Sequence, residues 1–259
     1  EDLSKKESDR FQYILPNFTL TKNISIPDSY NGNFQFVSSG FQKNYDTNKY
    51  ESLLINDFLF ESNKVILGPG LLSNYDVLIK NFNSYTENSS SYTEKEEYEV
   101  FGSLLLKSSF PLKKVNEYSK NYLKPIIALR YSPNDTKNIS DKDVRIDYNN
   151  IFSLNRIGNN EIVEGGKSAS IGLEFEKRDL QDEKFVGFNI AHSIREKQNN
   201  NLPTKSNLTD KRSDFVGNLS YMPNDKLNFE YNFSYDKNLN SSSYESISTL
   251  LTVNNFITN

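Results

Sequence analysis

The chain of 259 residues contains no cysteine and a single histidine, His192. Without cysteine, neither a disulfide framework nor a thiolate metal site is available. One histidine removes most histidine-based metal and triad chemistry. No run of about 18 or more apolar residues occurs, so no transmembrane helix is expected. A basic excess is missing too: 30 Lys and Arg stand against 34 Asp and Glu, a net charge of −4. That balance excludes the positive footprint of a nucleic-acid binder. The opening stretch Glu1–Arg10 is charged throughout and does not read as a signal peptide. A mature chain and an internal piece would look alike there, so it identifies no compartment.

Apolar residues are scarce, at 36%, and the mean hydropathy is −0.68. Such values, with abundant Asn and Ser, point towards disorder, but an aromatic content of 13% opposes it. Low hydropathy with regularly placed aromatics is what a β-barrel with a polar lumen gives, because only alternate residues face lipid. An all-β chain of this length is often a single domain.

Alternation is clearest in Leu227–Asp236, where Leu227, Phe229, Tyr231, Phe233 and Tyr235 alternate with polar residues. A helix would scatter these side chains, whereas a pleated strand places all five on one face. Val186, Phe188, Ile190, His192 and Ile194 share a phase opposite Gly187, Asn189, Ala191 and Ser193. Pro16 in the first strand removes a ladder donor and predicts a bulge. Glu51–Phe60 has apolar residues in both phases, so its inward face is ambiguous. In all, about twelve strands of roughly 8–12 residues follow one another, the length needed to cross a bilayer at a tilt.

The connections alternate between long and short. Polar loops are expected at 83–99, 132–168, 198–213 and 238–245, and tight turns at 114–121, 179–184 and 223–226. The acidic residues Glu94, Glu96, Glu97 and Glu99 read as a solvated loop rather than a cation site. Long loops on one side and short turns on the other are the pattern of a transmembrane barrel. The fold class predicted is therefore all-β: an antiparallel up-and-down transmembrane β-barrel segment of about twelve strands, an incomplete barrel. A soluble β-sandwich also alternates, but no Greek-key spacing is visible. An incomplete barrel would present two unpaired edges, which an intact one avoids.

The long excursion between Ile126 and Arg178 holds the most specific text. Leu123-Lys-Pro125 leads into Leu129-Arg-Tyr-Ser-Pro133, followed by Asp147-Tyr-Asn-Asn-Ile-Phe152 and Asn155-Arg156 with Gly158. Val163-Glu-Gly-Gly-Lys-Ser168 and Ser170-Ile-Gly-Leu-Glu174 complete it. In this order the text resembles the outer-membrane lipopolysaccharide-assembly family LptD, also called OstA or Imp. Leu15-Pro-Asn17 and Phe110-Pro-Leu112 fit the same resemblance. Lys124 stands where the family pattern has Glu, Asn159-Asn-Glu161 replaces Asp-Arg, and the family's cysteines are absent. The resemblance implies a large outer-membrane barrel with no cofactor, and it implies that this chain is an interior block of the wall, residues 1–259. Its implied partners are lipopolysaccharide, an LptE-like lipoprotein plug, membrane lipids, and an LptA-like periplasmic bridge reached through a jelly-roll domain outside this chain. Nucleic acid is not among them.

Within the barrel reading, Arg145, Asp147, Tyr148, Asn149, Phe152, Asn155 and Arg156 lie on a loop, 132–168, that is extracellular or lumenal. Arginine paired with Asp147 or Glu164 would hold it down. Gly158, Gly165 and Gly166 would supply positive φ or close backbone approach. A lumen plug touching the lipoprotein or the saccharide fits these residues, and so does a surface loop with local salt bridges. No enzyme is expected: His192 has no Ser-Asp arrangement, and Glu174 with Glu176 would need a defined separation across a substrate, which a sequence does not show. A porin or nutrient transporter is the competing membrane function.

Overall fold

The chain is described here from a computed structural model covering residues 12–45, 48–89, 92, 94–253 and 256–258. The charged stretch 1–10, Phe11, the turn residues Asp46 and Thr47, and Asn254 and Asn255 fall outside the described residues.

The strands in chain order are β1 (Gln12–Ile24), β2 (Gly32–Tyr45), β3 (Tyr50–Ser62), β4 (Val65–Leu67) and β5 (Leu71–Glu87). They continue as β6 (Lys95–Ser109), β7 (Leu112–Val115), β8 (Lys120–Ser132), β9 (Gly166–Arg178) and β10 (Lys184–Arg195). The last are β11 (Phe215–Asn224), β12 (Leu227–Tyr235), β13 (Ser242–Val253) and β14 (Phe256–Thr258). All belong to one sheet with order β1-β2-β3-β5-β6-β8-β9-β10-β11-β12-β13-β14, and the short β4 and β7 pair beside it with β5 and β8. Among the described residues, twelve strands thus form an up-and-down path that does not close, rather than a two-sheet sandwich. The expected bulge at Pro16 is present: the β1–β2 register shifts between Ile14 and Asn17.

Three loops are shorter than their sequence suggests, and at 238–245 Ser242–Glu245 already belong to β13. Asn83–Glu87 belongs to β5 and Lys95–Glu99 to β6, so the acidic stretch is largely strand. The reason lies in the inward face: Ser84 and Thr86 are buried, and a strand with small polar residues on one face looks like loop text. At the long excursion, β8 runs to Ser132 and β9 starts at Gly166, leaving 133–165 as the connection.

The contacts divide the chain into two units. The first comprises 1–63, 76–104 and 160–163. Its core is Leu53, Ile55, Phe82, Phe101 and Val163, which settles the ambiguity of β3: Leu53 and Ile55 face inward, and Leu54 and Phe58 are exposed. Lys80 is buried beside this core and donates to both Asp57 oxygens, at 2.5 and 2.7 Å, and to the Asn160 carbonyl at 2.7 Å.

The second unit comprises 64–75, 105–159 and 164–259. Along β8, Ile126, Ala128, Arg130 and Ser132 are buried while Ile127, Leu129 and Tyr131 are exposed. The same alternation buries Ser168 and Ser170 of β9 and Ala191, Ser193 and Arg195 of β10, and exposes Ile171 and Ile194. Large apolar residues thus point out and small or polar ones point in, the reverse of a water-soluble sheet.

Candidate functional site

The inward face of β8, β9 and β10 is built from register. Arg130 opposes Ser168, which opposes Arg195; one step along, Ala128 opposes Ser170, which opposes Ser193. A further step aligns Ile126, Gly172 and Ala191. The serines and Gly172 leave a shallow trough between two arginines, and the loop 133–165 fills it.

Arg156 enters this trough from the loop. Its Nε and Nη2 donate to the two oxygens of Glu164 at 2.7 and 2.6 Å, a bidentate pair. Its remaining hydrogens reach Ser193 (2.7 Å), Ser168 (3.1 Å) and Ser170 (3.3 Å). Arg130 meets Glu164 Oε2 at 2.7 Å and also donates to the carbonyls of Leu154 and Glu164, both at 2.9 Å. Arg195 contacts Glu164 Oε1 through Nη1 and donates to the Gly165 carbonyl at 2.8 Å. None of the four charged side chains is more than 5% exposed. Burial alone would push the Glu164 carboxyl up, but Arg130 and Arg156, then Arg195, outweigh it and hold the group well below the usual carboxylate range.

Beside this centre, Phe152 packs end-on against Gly172, where a Cβ would stand 2.5 Å from the ring tip. Tyr148 meets Phe152 edge to face at 5.7 Å and donates its hydroxyl to Glu174 at 3.0 Å. Burial, and then Glu174, push the Tyr148 phenol up. Glu174 also pairs with Lys124, its cross-strand partner, which gives the departure at position 124 a local counter-charge. Ile139, Ile146, Ile151 and Ile157 are buried as well, so the loop brings its own apolar core.

The other residues singled out from sequence are spread along the loop. Asp147 accepts from the backbone N–H groups of Asn149 and Asn150, at 2.8 and 2.9 Å, and fixes a turn rather than pairing with arginine. Arg145 lies over the Tyr244 ring at 4.3 Å. Asn155 donates to the Asn159 carbonyl and accepts from the N–H of Gly158, whose φ is +70°. Arg145, Asp147, Asn149 and Asn155 are exposed. Gly166 has φ +89°, and a Cβ on Gly165 would collide with the Asn134 carbonyl. His192 stacks on Phe215, ring centroids 4.5 Å apart.

Sequence reasoning singled out Arg156 and Glu164 but missed Arg130, Arg195 and the three serines. A signal was available: Arg130 shares a phase with Ile126 and Ala128, and Arg195 with Ala191 and Ser193. A cation in the small-residue phase of a strand needs a buried acid.

A family model described as LPS transport system D matches residues 2–258. The chain belongs to the LptD family. No curated protein matches the sequence significantly. The LptD family serves lipopolysaccharide transport and assembly at the outer membrane, and it is a transport family rather than an enzyme family. The exposed apolar phase of β8–β11 and the open up-and-down sheet agree with an LptD β-barrel.

Proposed function

We propose that this chain forms a single block of the wall of an outer-membrane barrel that inserts lipopolysaccharide into the outer leaflet. In this reading the loop 133–165 is a plug folded against the inner wall and held by Glu164. The observation that carries it is the convergence of Arg130, Arg156 and Arg195 on one buried carboxylate. A loop that only crossed the rim would remain solvated, as surface loops do. Here the loop covers the inward phase of three strands and sets one carboxylate between the two strand cations. The exposed Arg145, Asp147, Asn149 and Asn155 would then face the passing saccharide or an LptE-like lipoprotein. The apolar outward residues would meet membrane lipid, and lipopolysaccharide would arrive over an LptA-like bridge through a jelly-roll domain.

The test is Arg156→Ala in the full-length protein, read as outer-membrane permeability to large antibiotics with barrel abundance measured alongside. Permeability should rise while folded barrel persists. Unchanged permeability with normal abundance would remove the plug from the account.

A further inference from the structure

The cluster around Glu164 has three guanidiniums and one carboxylate, an excess of two positive charges among side chains that are almost fully buried. Buried charge is tolerated when it is paired, and an excess favours an anion nearby. Arg195 is the least completely paired of the three: its Nε has no hydrogen-bond partner among the described residues. Arg195 also forms part of the wall of a cleft of about 450 Å³ between the loop 133–165 and the loop 196–214.

The chemistry of that wall is specific in two respects. Lys167 and Lys197 join Arg195 there, against the carboxylates of Asp135 and Glu196, so the wall itself is net positive before the buried arginines behind it are counted. Glu196 is partly engaged by Lys167 at 3.5 Å, whereas Lys197 makes no ion pair among the described residues. Four amide side chains, Asn134, Gln198, Asn199 and Asn201, and the ring of Tyr131 also line the cleft. Amides offer both donors and acceptors at fixed separations, which suits vicinal hydroxyls. The cleft is also held in shape: Asn199 and Asn201 donate to the Thr136 hydroxyl and carbonyl at 2.8 and 2.9 Å, tying the two loops together.

We propose that this cleft binds an anionic sugar, a saccharide bearing phosphate or carboxylate, with the anion beside Lys197 and Arg195 and the hydroxyls on the amides. Arg195 Nε is shielded from solvent, so Arg195 contributes field rather than a direct contact from that atom. The saccharide half of the inference rests on the lipopolysaccharide reading above; the anionic half rests only on the charge excess.

The experiment uses the full-length protein in detergent and three probes. These are the phosphorylated oligosaccharide released from lipopolysaccharide by removing its acyl chains, the same oligosaccharide after dephosphorylation, and inorganic phosphate. The phosphorylated saccharide should bind, and the double variant Lys167→Gln/Lys197→Gln should weaken it about tenfold, as should dephosphorylation. Both lysines are exposed, so the variant is expected to fold. Equal binding by the double variant would overturn the site, and equal binding of the dephosphorylated sugar would overturn its anionic character. Inorganic phosphate binding as tightly as the saccharide would overturn the sugar and leave a bare phosphate site. Because the readout is binding by purified protein, this inference and the plug reading fail independently.

Discussion

Glu164 is the acid on which three guanidiniums converge, so replacing it leaves like charges facing one another in a dry site. Glu164→Gln should loosen the loop by about 3–5 kcal/mol, the usual cost of stripping one partner from a buried ion pair. Limited proteolysis within 133–165 is the measurement, and cleavage no faster than in the unaltered protein would contradict it. The pH response follows from the direction of the shift. The folded-state pKa of Glu164 lies below its unfolded value, so its stabilisation is fully present above the unfolded value of about 4.3. It is lost progressively as pH falls from there through the depressed folded value. Amide-exchange protection of the loop, corrected for intrinsic rates, should therefore hold constant from about pH 8 to about pH 5. Loosening inside that window would mean that the carboxylate is not clamped as described. Sequence could suggest the Arg156–Glu164 pair, eight residues apart on one loop. The strand phase of Arg130 and Arg195, 34 residues before and 31 after Glu164, marks them as cations in need of a buried acid, but only strand register shows that the acid is Glu164.

Strand β9 shows how one element carries both an exposed apolar residue and the seat of the loop. Ile171 points outward while Ser170 and Gly172 point inward. Glycine at 172 is a matter of space, since the position is ordinary strand and a side chain there meets the Phe152 ring. Gly172→Val suits the strand backbone but displaces Phe152, an overpacking cost of about 1–3 kcal/mol. Phe152→Ala alone leaves a void worth about 3–5 kcal/mol. The two changes should be strongly non-additive, the valine filling what the alanine vacates, and a double-mutant cycle on loop protection measures this. Additive effects would show that Phe152 does not rest on Gly172. Alternation made β12 and the outward phase of β10 legible in the sequence, because large aromatics and aliphatics at every second position admit only one periodicity. It failed at 83–87 and 95–99, where the inward residues are serine, threonine and glutamate and the strand has the composition of a loop.

The twelve-strand path, its antiparallel order and the exposed apolar phase of its best-patterned strands were legible in the sequence, because an up-and-down sheet repeats one pattern and repetition outweighs local ambiguity. What was not legible is which loop residues lie against the wall. That depends on a trough made jointly by three strands, and no single stretch of sequence encodes it. The outward face supports a final test of the membrane reading. Ile171 is 53% exposed at the middle of β9, and Leu239, at 61%, lies on the connection between β12 and β13. Both are exposed apolar residues, yet only the first should sit in lipid. Ile171→Lys places an ammonium near the bilayer midplane at a cost of about 2–4 kcal/mol. Leu239→Lys should cost nothing comparable, because water already surrounds that position. In the full-length protein, the fraction of folded, heat-modifiable barrel recovered from outer membranes should fall for the first variant and not for the second. If both variants assemble equally well, the exposed apolar phase faces water or another protein, and a lipid-facing wall cannot stand.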